Sequence, residues 1–242
     1  MFNNLDRVKD ISLHNLVVGA EEAASWIQHG MTLGLSGFTR AGDAKAVPFA
    51  LVERAANESF KVNIFTGASL GSDIDKLLSE AGIVHKRLPF QADATMRKHI
   101  NTGDHLFVDQ HLSHTAELIR SGVLPIIDFA IVEAVSITAD GMIIPTTSVG
   151  NSASFAIFAE KVIVEINTNL SPAFEGLHDI YIPSYRPTRQ AIPLTQVDER
   201  IGTHAINIDP AKIVGIVFNN DLHDSPSTVT APDDETQSIA NH

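Results

Sequence analysis

Cysteine is absent from the 242 residues, which excludes disulfides, thiolate zinc sites and a cysteine nucleophile together. The absence fits a reducing compartment. Basic residues are scarce: 17 Lys and Arg stand against 29 Asp and Glu, and the net charge of -12 denies the chain the basic face that nucleic acid or an anionic membrane requires. An anionic ligand must then be met by local donors. No apolar run approaches the roughly 20 residues that span a bilayer. The opening MFNNLDRVKDISLHNL carries two acids where a signal peptide has an apolar block. Together these features predict a cytoplasmic protein with neither membrane nor nucleic acid among its partners. Internal repeats and low-complexity tracts are missing too. What remains, with 44% apolar residues, is an ordinary globular core of one large or two small domains.

Nucleotide motifs are also lacking. LGLSGFTRAGDAKAVP (33–48) runs from an apolar stretch into Gly34, Gly37 and Gly42, and glycines after a strand point to a binding loop. Their spacing fails G-x-G-x-x-G, and Lys45 does not directly follow a glycine as a P-loop demands.

Around this loop the chain alternates. GAEEAASWIQHG (19–30) predicts a short amphipathic helix, MTLGLS (31–36) a buried strand, and AKAVPFALVERAANE (44–58) a helix with proline in its first turn. KVNIFTG (61–67) predicts a strand, and SDIDKLLSEAG (72–82) a helix with Ser72 as N-cap and Gly82 as stop. QADATMRKHIN, DHLFVD and HTAELIRSG continue as helix, strand, helix. This alternation predicts an α/β fold with an open, mostly parallel sheet and flanking helices. IIDFAIVEA (126–134) is a further strand, and Asp140-Gly141 between β-branched runs predicts an antiparallel hairpin. KVIVEIN (161–167) and KIVGIVF (212–218) are two more buried strands, separated by a proline-rich excursion over 171–196, too long for an ordinary loop. TAPDDETQSIANH (230–242) reads as a helix start, with Thr230 as N-cap and an apolar face barely begun at Ile239. The expected division is a domain over 1–229 and, over 230–242, the start of a helix or linker leading to a C-terminal domain. An extended, frayed or partner-docked C-terminus is expected with it.

Three loops share small hydroxyl and glycine residues: Gly37, Phe38 and Thr39; Thr66, Gly67, Ala68 and Ser69; and Ser148, Val149, Gly150 and Asn151. Singly each is a connector. Three at strand ends of an open α/β sheet point to one crevice. His105, Asp109, His111 and His114 lie close in sequence but match no zinc spacing, so a structural or capping role is expected. No G-x-S-x-G elbow supports covalent serine catalysis. Glu133 is a candidate nucleophile or base, with an anchoring hydrogen-bond acceptor as its ordinary role. Lys45 and Arg200 are the best candidates to pair with a carboxylate or phosphate, and a solvated surface charge is the default for each.

EEAASWIQHGMTLGLSGFTRAGDAKAVP, FTGAS, DQHLSH, DFAIVEAVSITADGMIIPTTSVGNS, AEKVIVEIN and RIGTHAINIDPAKIVGIV together resemble the N-terminal half of the acetyl-CoA hydrolase/transferase family, the single-chain class I CoA-transferases. The resemblance runs from about residue 10 to the end. It implies a CoA-transferase/ribose-5-phosphate-isomerase type of fold in each of two halves, with the active site between them. It implies an enzyme that moves CoA from acetyl- or succinyl-CoA to acetate or succinate through a glutamyl-CoA thioester. The glutamate belongs to the second half, so no catalytic residue is expected in this chain. Coenzyme A is then a substrate, no cofactor is permanently bound, and the partners are acyl-CoA, a small carboxylic acid, the C-terminal half and a second copy in a homodimer. Ser36, Gly37, Phe38, Thr39, Gly67 and Ser69 resemble walls of the acyl site, beside Gly150 and Asn151, with Arg200 as counterpart of a nearby arginine. Asp43-Ala44 stands where relatives commonly read Tyr-Pro, which implies a looser loop and an added negative charge beside that site. An acetyl-CoA hydrolase on the same scaffold and a sugar-phosphate isomerase or sensor-type binding domain are the alternatives.

Overall fold

The computed structural model describes residues 4–241 except 72, 185, 193 and 225–229. Eight strands form one sheet: β1 (Thr32–Leu35), β2 (Val62–Phe65), β3 (Val84–Leu88), β4 (Leu106–Phe107), β5 (Ile127–Ile137), β6 (Ile143–Pro145), β7 (Ala159–Asn167) and β8 (Ile213–Asn219). Their order is β4-β3-β2-β1-β5-β7-β8. All neighbours along that path are parallel, and β6 returns antiparallel along β5. The Asp140-Gly141 turn makes that return, with Gly141 at φ 75°. Helices are α1 (Ala20–Ser25), α2 (Ala46–Ala55), α3 (Ile74–Glu80), α4 (Ala94–Thr102), α5 (Leu112–Arg120), α6 (Ser152–Phe158) and α7 (Asp234–Ala240).

Strand alternation sorts the core into two layers. Leu33, Leu35, Ile64, Phe129, Ile131 and Ile163 face α1 to α4, while Phe65, Ala130, Val132, Val162 and Val164 face the side that carries Ile119 of α5 and Phe155 of α6. The chain steps outward from β1 to β4 with helices on one face, then crosses back through α5 to β5 and on through α6 to β7 on the other. Right-handed crossovers running in opposite directions put their helices on opposite faces, so the order reverses between β1 and β5. That reversal places the crevice of an open α/β sheet at the carboxyl ends of β1 and β5.

Several expectations are corrected. Gly34 lies within β1, as the predicted strand over 31–36 has it, but its role differs from that of a loop glycine: a Cβ there would lie 2.8 Å from the Phe155 ring, so the glycine seats α6 on the sheet. β3, built from VHKRL, and α6 were not anticipated. α7 is capped by Asp233, whose carboxylate accepts from the Thr236 N–H, rather than by Thr230. α7 buries no residue. Ser72, expected to cap α3, lies outside the described residues. The excursion has one 3₁₀ turn, Pro172–Phe174, and an antiparallel bridge between Ile180 and Thr203. The described residues from 184 to 200, in the excursion and just after it, are all exposed. Among the described residues no helix is long and apolar enough to cross a membrane.

Candidate functional site

The three glycine and hydroxyl loops meet where the strand order reverses. After β1 the backbone enters the left-handed region at Gly37 (φ 126°), Thr39 (50°), Arg40 (73°) and Gly42 (69°). Two of these residues are not glycine, so the loop holds a conformation that costs about 1 kcal/mol or more per residue and must be imposed by its surroundings. The surroundings are close. A Cβ on Gly67 would stand 2.7 Å from the Gly37 carbonyl oxygen, and one on Gly71 would stand 2.9 Å from Arg40 Cα. A side chain at Gly37 would meet Asp43 Oδ1 at 1.9 Å. Asn151 donates from Nδ2 to the Thr66 carbonyl at 3.4 Å, tying the third loop to the second.

An open crevice of about 250 Å³ lies between these loops, lined by Phe38, Gly67, Leu112, Ser113, Gly150 and Asn151. Phe38 is 42% exposed at its mouth. Four of the expected site residues, Phe38, Gly67, Gly150 and Asn151, therefore line one space, with Gly37 behind them. Leu112 and Ser113, from the start of α5, were missed. His111 caps that helix, its Nδ1 lying 2.7 Å from Ser113 Oγ, so the DQHLSH block carried the signal as a helix start. Among the described residues the lining includes no carboxylate and no cation. It offers one hydroxyl, one amide and two glycine backbones around apolar Phe38 and Leu112, which suits a small acyl group or carboxylate better than a phosphate or an acid–base pair.

The remaining expected residues stand elsewhere. Ser36 is buried: its hydroxyl donates to the Gly42 carbonyl at 2.9 Å and accepts from the Glu133 N–H at 2.8 Å, closing the loop from beneath. Ser69 accepts from the Ala92 N–H at 2.6 Å and pins the segment after β3. Thr39 is exposed at the loop tip. Arg200 is exposed just after the excursion and is not part of the lining. His105 turns inward to Ser79 Oγ at 2.9 Å and stacks on His99. Among the described residues no three His or acidic side chains group as metal ligands.

Beneath the loop is a buried ionic cluster. Lys45 is not a surface charge; it has no exposed area, and its Nζ lies 2.5 Å from Glu133 Oε2, 2.5 Å from the Asp43 carbonyl and 2.8 Å from Asp224 Oδ1. Glu133 sits within β5 rather than at its end, accepting also from Thr146 at 2.7 Å and Asn167 at 3.3 Å. Glu165 of β7 accepts the backbone N–H groups of Lys45, Ala46 and Val47, capping α2 from across the sheet. Asp43 accepts from the Gly71 N–H at 2.7 Å and is fully buried, so the loop is pinned rather than loosened and the charge is withheld from the crevice. Burial pushes the Asp43 carboxyl up to about 7 against the Gly71 N–H and Lys45. Burial likewise pushes Glu133 to about 7 against Lys45. Glu165 is also raised by burial. Burial would lower the Lys45 ammonium, but Glu133 and Asp224 outweigh it and hold it above the usual lysine value.

Residues 3–218 match the model of the acetyl-CoA hydrolase/transferase N-terminal domain. The chain belongs to this family. It is 42% identical over 238 residues to a succinyl-CoA:acetate CoA-transferase of Clostridium kluyveri, covering 98% of this chain and 44% of that protein. It is 37% identical over 234 residues to an acetyl-CoA hydrolase of Saccharomyces cerevisiae, covering 92% of this chain and 44% of the relative. The chain thus spans less than half the length of these family members. Among solved structures, RipA from Yersinia pestis superposes with a TM-score of 0.64 at 18% identity, over 94% of this chain and 47% of RipA, a likeness of fold.

Proposed function

We propose that this chain is the N-terminal half-site of an acyl-CoA:carboxylate CoA-transferase, passing CoA from acetyl- or succinyl-CoA to acetate or succinate. The observation that carries the reading is a neutral, glycine-lined crevice at the sheet's reversal point in a chain 42% identical to a succinyl-CoA:acetate CoA-transferase. The chemistry needs a glutamate carboxylate to attack the thioester carbon. The C–S bond breaks, CoA leaves as thiolate, and an acyl-glutamyl anhydride forms. The thiolate then attacks the glutamyl carbonyl, expelling the first acid as its carboxylate and leaving a glutamyl-CoA thioester that the second carboxylate reverses.

Asp43, Glu133 and Glu165 are buried with ammonium, hydroxyl or backbone N–H groups on their carboxylates, so none of them is offered as that nucleophile. It is assigned to the C-terminal half. The role left to this chain is to wall the acyl end. Ser113, Asn151 and the Gly67 and Gly150 backbones receive in turn an anion and a neutral anhydride, which uncharged donors serve equally. On this reading CoA enters as substrate, no cofactor is permanently held, and the working enzyme is a cytoplasmic homodimer.

CoA transfer from succinyl-CoA to acetate, assayed with this chain alone and with a C-terminal half supplied, tests the reading. Transfer only with both halves is expected. Turnover by the chain alone would place a nucleophile inside it, and Glu133→Gln would be the first variant to make. The 37% identity to a yeast acetyl-CoA hydrolase favours a second reading, in which water takes the place of the acceptor acid. Release of free CoA without acceptor, at the rate seen with it, would select that reading.

A further inference from the structure

The crevice wall formed by residues 36–43 has two left-handed non-glycine residues and only short backbone contacts of its own, the Phe38 and Ala41 N–H groups each donating to the other's carbonyl, at 2.9 and 3.2 Å. Something outside the loop must hold it. Two fastenings stand apart, Ser148 Oγ donating to the Ala41 carbonyl at 2.6 Å and the Gly71 N–H to Asp43 at 2.7 Å, and the others lead to one ammonium. Lys45 Nζ takes the Asp43 carbonyl at the loop's end. It pairs with Glu133, whose own N–H donates to the Ser36 hydroxyl that closes the loop's start. It pairs also with Asp224, which accepts from the Gly42 N–H at 3.3 Å and the Thr147 hydroxyl at 3.2 Å. Asp224 lies beyond β8, so a segment far along the chain reaches back to clasp two of the three crevice loops.

We propose that Lys45 is the positioning residue of the acyl site: through Glu133 and Asp224 it locks the wall at residues 36–43 in its strained form. It does so without touching the crevice. The clasp is charge-imbalanced. Asp43 of the loop, Glu133 of β5, Glu165 of β7 and Asp224 face one Lys45, and the next charges out, Asp75 of α3 and Arg87 of β3, pair with each other at 3.1 Å. Four carboxylates against one ammonium in a water-poor site hold a proton near neutrality, and losing it adds repulsion across the clasp. The wall should therefore loosen as pH rises through about 7, the value to which burial brings Asp43 and Glu133.

The importance of this wall for acyl transfer rests on the proposed function; the lock itself does not, and it is tested without substrate. Amide hydrogen exchange at Phe38 and Ala41, neither of which touches Asp224, is compared in the 242-residue chain and in Asp224→Asn, a site exposed enough to tolerate the change. Both amides should exchange about tenfold faster in the variant while core amides of β5 and β7 stay unchanged. Lys45→Met should do the same more strongly if it folds. In the parent chain, protection at these two amides, corrected for intrinsic rate, should fall between about pH 6 and about pH 8, and Glu133→Gln should shrink that step. Unchanged exchange in Asp224→Asn, an increase spread evenly over the sheet, or a flat pH profile would each overturn the lock. Because no CoA compound is present, a failed transfer assay leaves this result standing, and a failed exchange experiment leaves the transfer reading standing.

Discussion

Asp43 has its two oxygens placed differently: Oδ2 accepts from Gly71, while Oδ1, packed against Gly37, has no hydrogen-bond partner among the described residues. Burial raises its folded-state pKa from 3.8 to about 7. A carboxyl that holds its proton more tightly when folded contributes stability present below about pH 4 and lost as pH climbs through about 7, and Glu133 acts in the same direction. The chain should therefore unfold more easily at about pH 8 than at about pH 5. In Asp43→Asn that loss should be smaller by about 2 kcal/mol, since an amide has no proton to give up. Urea midpoints at the two pH values measure it, and an equal loss in parent and variant would count against a shifted Asp43. Lys45 shows how far residue type misleads at this scale. A lysine is ordinarily solvated, yet the flanking Ala44, Ala46 and Val47 are a local signal that position 45 sits in an apolar surrounding.

At the scale of elements, most of the fold was legible because hydrophobic periodicity and stop signals are local. The strands at 31–36, 61–67, 126–134, 161–167 and 212–218 and the Asp140-Gly141 hairpin reappear with boundary shifts of up to three residues. β3 was not legible. His85, Lys86 and Arg87 break its apolar pattern, and only the structure shows that Arg87 is buried against Asp75 and the Thr66 hydroxyl. α6 was hidden for the opposite reason: SASFAIF is apolar or small on every side, because it is wedged between α5 and the sheet. Of the site, the glycine and hydroxyl loops were readable from their places after strands. Leu112 and Ser113 were not, since their arrival depends on where α5 crosses back over the sheet. Nor could a pattern of 3.6 or 2 reveal that α2 begins without a cap of its own. Lys45 makes no side-chain cap, and Glu165 supplies the acceptors from β7. Glu165→Gln would turn an amide N–H₂ toward backbone donors and should cost about 2 kcal/mol in unfolding free energy, with an unchanged denaturant slope. A midpoint within error of the parent would show that α2 does not depend on this cap.

For the whole molecule, the sheet reversal gathers the three loops at one end of the core, and the ionic cluster lies just beneath them, inside the fold except at the partly exposed Asp224. The excursion between β7 and β8 is arranged differently. The described residues from 184 to 200 are all exposed, and the excursion is tied back at Glu117 by Arg189 and, at 3.8 Å, by Arg186. β8 itself is woven in, parallel to β7 from Val162–Ile213 to Asn167–Asn219, with Ile216 and Val217 in the two core layers. A connector with an exposed middle, flanked by Ile180 and Ile206 packed in the core, that leads to a strand inside the fold makes the chain a ready-made fragment-complementation pair. Trypsin should nick it first at Arg189 or Arg200, Arg186 being shielded by the proline that follows. The two pieces should separate on a denaturing gel yet elute together at the parent's volume under native conditions. If they came apart, β8 would be held by its tether and not by its neighbours. If they stayed together, the excursion could be lengthened, cut or recoded without unseating β8, provided its tie to Glu117 of the crevice-lining α5 is kept, and the two pieces could be expressed separately and joined by the sheet alone.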